Sequence, residues 1–198
     1  MINRKNFTLL SAPPRNELTG AYTIDRQRST VGFSARHALF SSVQGQFTSF
    51  EGLLKINGRA FGRSEAYISV QTDSVETGSF PLNAQITGPD FLDSSTFPLM
   101  SFRSSGVLDA NHNLLHLAGY LRIKDIELPV PVELEFNETS PDRSGDNRIN
   151  FQATVTLQRS DWGLDWNTNL ASGGGLISEK VKLHLNLSAV RLDPAQTA

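Results

Sequence analysis

The chain of 198 residues contains no cysteine, which removes disulfides, thiolate metal sites and cysteine nucleophiles from consideration. The absence does not fix a compartment, because a stable barrel needs no disulfide in either place. Positive charge is not in excess either: 18 Lys and Arg stand against 20 Asp and Glu, a formal net charge of -2. The pI near 6.1 is far from the basic balance of a nucleic-acid binder. No Lys/Arg cluster suits an anionic membrane surface, and no run approaches the roughly 18 consecutive apolar residues of a membrane-spanning helix. Near the start, Arg4 and Lys5 precede only Phe7-Thr8-Leu9-Leu10 before Pro13 and Pro14. A secretion signal calls for an apolar run of roughly 7–15 residues and a small-residue cleavage site. The expectation is a cytoplasmic protein with residues 1–17 as a flexible tail.

Strong helical periodicity is also missing, and alternation stands in its place. In residues 128–136, Leu128, Val130, Val132, Leu134 and Phe136 face one way; in 148–157, Ile149, Phe151, Ala153, Val155 and Leu157 do so. In 180–187, Val181, Leu183, Leu185 and Leu187 stand opposite Lys182, His184 and Asn186. Shorter examples are Val31-Phe33-Ala35, Val43-Gly45-Phe47, Ile68-Val70 and Met100-Phe102. Period two in so many segments predicts half-buried antiparallel strands. Turn residues separate them at Asn57-Gly58, Asp109-Ala110-Asn111, 141–147 and Gly173-Gly174-Gly175. Only residues 77–93 break the alternation, which predicts a short helix or structured loop crossing one end of the sheet. With no internal repeat or low-complexity tract, one domain is expected over 18–193, followed by a short tail at 194–198.

Strand length carries further information. The segments 114–123, 148–158 and 179–190 reach ten residues or more, against a usual five or six, so each runs roughly 33 Å or longer at about 3.3 Å per residue. About eight such strands closed into a barrel form a tall cylinder able to hold one small ligand, and an apolar lining suits an elongated apolar guest. A barrel or sandwich filled by its own side chains satisfies the same pattern.

Few residues offer catalytic or metal chemistry. His112 and His116 are four apart, a ligand spacing on a helix, but on a strand it separates them by about 13 Å. His184 falls on the outward face of the last long strand, where solvation is expected. Arg36 and His37 end an early strand, where they either hold an anionic head group with the forked donors of arginine or simply cap the strand. Asp161-Trp162-Gly163-Leu164-Asp165-Trp166-Asn167 is the densest aromatic and acidic segment. Its two carboxylates lack a third group to orient a substrate, and its tryptophans suit the mouth of a barrel, as core packing or as ligand contact. No nucleophile elbow, phosphate-cradling loop or dinucleotide fingerprint is present.

Several stretches taken in order resemble the YceI-like family of lipocalin-like polyisoprenoid-binding proteins, over residues 18–190. They include Tyr22-Thr23-Ile24-Asp25, Val31-Gly32-Phe33 with Arg36-His37, and Val43-Gln44-Gly45-Gln46-Phe47. Asp90-Phe91-Leu92-Asp93, Gly119-Tyr120-Leu121-Arg122-Ile123-Lys124 and Arg159-Ser160-Asp161-Trp162-Gly163 come next, and Gly174-Gly175-Leu176-Ile177-Ser178-Glu179-Lys180-Val181 closes the set. The resemblance implies an all-β fold, an extended eight-stranded antiparallel β-barrel enclosing an isoprenoid chain such as a polyprenyl pyrophosphate or a quinone tail. It implies no catalytic activity and no cofactor beyond that bound lipid, and it hints at a homodimer. Where the family usually carries an Arg-Asp-x-His-Leu-Arg run, this chain has Phe80-Pro81-Leu82-Asn83-Ala84-Gln85-Ile86-Thr87, a loss of charge that favours a neutral, quinone-like head.

Pattern and resemblance together nominate a ligand wall of Phe33, Phe47, Ile68, Phe102, Leu117, Leu121, Leu134, Phe151 and Val155, with Phe91, Trp162 and Trp166 near an opening. Arg36, His37 and Asn167 are the candidates for the polar end. The expected function is to bind and carry or sequester a long-chain isoprenoid. Two alternatives stand beside it: a structural or stress-related barrel with a filled core, and an enzyme acting on an isoprenoid or aromatic substrate through His37 or Asp165.

Overall fold

A computed structural model describes residues 15–37, 41–111, 114–137, 148–165 and 177–192. Within them the alternation becomes a ladder. In β10 (Arg148–Gln158), Ile149, Phe151, Ala153, Val155 and Leu157 are buried while Gln152, Thr154, Thr156 and Gln158 are exposed. β10 pairs along its whole length with β11 (Ile177–Arg191). The other strands are β1 (Gly20–Ile24), β2 (Thr30–His37), β3 (Ser41–Phe47), β4 (Phe50–Ile56), β5 (Glu65–Gln71), β6 (Val75–Glu76), β7 (Leu99–Asn111), β8 (Leu114–Ile123) and β9 (Ile126–Asn137).

All described pairings are antiparallel, and the barrel closes through β11. Its lower end, Ala189–Arg191, pairs with β1, and its upper part, from Ile177 to Asn186, pairs with β2. β1 and β2 are thus two halves of one kinked strand, and β3 with β4 and β5 with β6 repeat the arrangement. Three kinked strands and five continuous ones make the eight-stranded barrel. α1 (Phe80–Thr87), the single α-helix among the described residues, lies at the upper end within the segment where alternation fails. Leu82 and Ile86 turn inward from it, while Phe80 stays 85% exposed.

Two departures from regular pairing have local causes. Pro129 and Pro131 offer no N–H to a neighbour, and β9 pairs with β10 only beyond them, from Leu134 to Asn137. Asp109-Ala110-Asn111, expected as a turn, instead continues β7, opposite His116, Leu115 and Leu114. Two register shifts in β7, after Ser104 and after Val107, absorb the extra length. Residues 112 and 113 lie outside the described residues, as do the expected turns at 141–147 and 173–175.

The kink between β1 and β2 is held by Asp25. Its carboxylate accepts from the Gln27 amide at 3.0 Å and from Arg148 Nη1 at 2.6 Å, tying the kink to the start of β10. The Arg148 hydrogen bond is the main reason the Asp25 carboxyl titrates below its ordinary range. A depressed folded value means the stabilisation is present above the ordinary aspartate value, near ~3.9, and is lost as pH falls through the lower folded value. In urea denaturation Asp25→Asn should cost about 1–3 kcal/mol at neutral pH, and the gap to the parent should shrink in acid. A gap of constant size down to strongly acidic pH would show that this ion pair does not hold the kink.

Candidate functional site

The inward side chains do not meet. They leave two chambers stacked along the barrel, the lower with about 130 Å³ of room for the centres of water-sized molecules and the upper with about 260 Å³. One water needs roughly 10–15 Å³ by that measure, so both are far larger than a packing defect. Met100 and Leu183 line both chambers and form the waist between them.

The lower chamber is walled by β2, β4, β5 and β7 to β11, and Ile68, Phe102, Leu117, Leu121, Leu134, Phe151 and Val155 all line it. The upper chamber lies between β2, β3, α1 and the ends of β10 and β11, and is lined by Phe33, Phe47, Phe91 and Trp162. Every nominated wall residue whose side chain is described therefore faces one chamber or the other. Trp166 and Asn167 lie outside the described residues. His37 ends β2 opposite Ser41 and Ile177, and its side chain likewise lies outside what is described. Arg36 is exposed and lines neither chamber, since its neighbour Ala35 takes the inward position.

The hollow depends on where bulk is stored. Gly45 and Gly119 take inward positions, and large neighbours lie across them: an added Cβ would come within 2.5 Å of the Phe33 ring and 2.2 Å of the Phe102 ring. Covering a strand glycine with an aromatic from the next strand is a recognised sheet device. Here it lays two rings along the wall instead of across the lumen.

Arg159 was not anticipated as a lining residue. It is 2% exposed, lines the upper chamber and spends its donors on protein: Nε on Ser178 O at 3.1 Å, Nη1 on Leu164 O and Nη2 on Glu179 at 2.7 Å. The sequence held a signal for it, since 159 is the next inward step after 149, 151, 153, 155 and 157. With Arg159 pinned, the single-turn 3-10 segment Arg159–Trp162 folds back over the end of β10. Trp162, 3% exposed, then donates from Nε1 to Leu121 O at 3.2 Å. Gly163 completes the turn in the left-handed region at φ 65°, a conformation glycine adopts without strain. His184 is half-buried on the outward face of β11, where it makes a 2.8 Å bond to Ser34 Oγ. No group of three or more His, Asp or Glu among the described residues is arranged to hold a metal ion.

The architecture matches that of known proteins. The family model described as YceI-like domain covers residues 22–189. The chain belongs to the YceI-like family. Similar curated proteins include a UPF0312 protein of Vibrio cholerae, 26% identical over 145 residues, 72% of this chain and 77% of the relative. A UPF0312 protein of Pseudomonas savastanoi is 25% identical over 172 residues, 86% of each chain. Among solved structures, Burkholderia cenocepacia BcnA superposes with a TM-score of 0.73 at 21% identity, over 83% of this chain and 98% of its own. A polyisoprenoid-binding domain from Saccharophagus degradans, implicated in plant cell wall breakdown, gives 0.67 at 18% identity, over 86% and 98%.

The Arg159 latch can be measured. Arg159→Ala strands the buried Leu164 carbonyl and the part-buried Ser178 carbonyl and should cost about 2–5 kcal/mol in urea denaturation. Glu179→Gln removes only a half-exposed partner and should cost about 0–1 kcal/mol. Equal losses in the two variants would mean that the ion pair, and not the carbonyl contacts, holds the segment.

Proposed function

We propose that this protein binds a long isoprenoid chain, of polyprenyl or quinone type, along the barrel axis, and carries or sequesters it without chemical change. The observation behind this reading is the pair of apolar chambers meeting at Met100 and Leu183. Apolar cavities of this size stay dry and accept apolar guests. The polyisoprenoid-binding description of the Saccharophagus degradans neighbour and membership of the YceI-like family support the same reading. The two chambers weigh against a barrel filled by its own side chains.

Burying tail releases roughly 0.8 kcal/mol per CH2, so one five-carbon unit contributes on the order of 3–4 kcal/mol before ordering costs. An exposed ion pair contributes about 0–1 kcal/mol. The tail therefore sets affinity and the head group tunes selectivity.

Mass spectrometry of organic extracts from purified protein should reveal a prenyl lipid, and delipidated protein should take up a long-chain ubiquinone. Neither lipid nor uptake would remove the carrier reading. Leu183→Trp, which narrows the waist, should weaken binding of an octaprenyl chain by about tenfold or more, while a farnesyl chain, short enough for one chamber, binds as before. Equal loss for both chains would point to damage to the fold, and equal retention to a guest that does not cross the waist.

A further inference from the structure

The polar residues that line the lower chamber, Ser64, Glu65, Ser101 and Ser104, all lie on β7 or at the start of β5, and all but Ser101 sit where the two strands part. β5 and β7 are paired from Gln71 and Leu99 down to Tyr67 and Arg103, and there the backbone ladder stops. The next contact between the strands is made by a side chain: the Ala66 amide donates to Ser104 Oγ at 2.7 Å. Immediately afterwards β7 slips register, and Gly106 takes a φ of +148°. Below the break, the 3-10 turn Phe61–Arg63 comes up against β7, with little room for a Cβ between Gly62 O and Gly106.

The result is a seam closed by side chains. Ser64, Glu65, Ala66 and Ser104 line the lower chamber and also a groove of about 770 Å³ on the outside of the barrel. That groove bears Lys55, Arg63 and Arg103 as cations and Glu65 as its carboxylate. The two serines are used alike. Ser64 Oγ accepts from the Asn57 amide at 3.1 Å and Ser104 Oγ from the Ala66 amide. An accepting hydroxyl still has its own proton to donate.

The geometry points to this β5–β7 seam as the head-group subsite: a prenyl lipid lies with its tail up the barrel and its head, bearing acceptor oxygens, at Ser64 and Ser104. The inference rests on the carrier reading above and adds its polarity, with the head at the opposite end from Arg36. The upper chamber suits a tail: its polar lining residues are Gln85 and Arg159, and Arg159 spends its donors on Ser178, Leu164 and Glu179. A quinone carbonyl and a phosphate oxygen would both accept from the serines. Only the phosphate would also draw on Lys55 and Arg63.

Three probes separate the cases: squalene, which has no head group, a long-chain ubiquinone, and undecaprenyl phosphate. Each is titrated into delipidated parent protein, Ser64→Ala/Ser104→Ala, Lys55→Ala/Arg63→Ala and Arg36→Ala. Squalene affinity should hold within about twofold throughout. The double serine variant should bind ubiquinone and the phosphate about tenfold more weakly, the value of two modest hydrogen bonds. The Lys55/Arg63 variant should lose affinity for the phosphate alone, and Arg36→Ala for none. Because the serine variant removes a strand contact, amide NMR of the parent gives a second readout: the Ala66 resonance should move with ubiquinone and stay with squalene. Unchanged head-group affinity in the serine variant, or an Ala66 amide indifferent to the head, overturns the subsite while leaving the carrier reading intact. Failure of the parent to bind any of the three sinks the carrier reading and this one with it.

Discussion

A closed sheet must spend every strand edge on another strand, and here that duty falls on β11. Its 15 residues face β10 on one side along their full working length. On the other side they serve β2 above and β1 below. The kink between those two halves results from this division, because one straight strand would have to track β11 from end to end. Asp25, Arg148 and Ser29 gather at that junction, with Ser29 Oγ both accepting from the Ser188 amide at 2.9 Å and donating to Ser188 O at 3.3 Å. Closure removes the exposed edges that would invite aggregation, and it fixes a circumference too wide for the inward side chains to span.

Around that open lumen the two ends divide the labour. The upper end is capped by Leu82, Gln85 and Ile86 of α1 together with Phe91, Leu92 and Trp162. The charged group there, Arg159, is locked into a framework of carbonyls and Glu179. The lower end holds its polar atoms at a break in the ladder, where main-chain pairing gives way to a serine.

Much of this was legible in the sequence, because a barrel wall is a period-two object. The inward phase of Ile149 to Leu157 and of Val181 to Leu187 can be read directly, and the same parity locates Phe33, Phe47, Phe102, Leu117 and Leu121 on the lumen. Strand length gave the height, and the failure of alternation over 77–93 marked the segment that holds α1. The seam was not legible, for a physical reason. A bulge is a mismatch between two strands, and neither β7 nor its neighbour β8 announces alone that Ser105 has no opposite number. Arg159 was hidden differently: its parity is inward, but a charged residue reads as exposed unless its partners on a strand 20 residues away are known.

Gly45 and Gly119 carry a last implication. By receiving the rings of Phe33 and Phe102 into recesses of the wall, they keep two bulky side chains out of the open space of the lumen. The bore of the barrel is thus written in hydrogen atoms: one methyl group in a recess would swing a ring inward and throttle the passage, while the outer surface and the hydrogen-bond ladder would keep their form. Selection acting on guest width could work through these two positions without touching the scaffold.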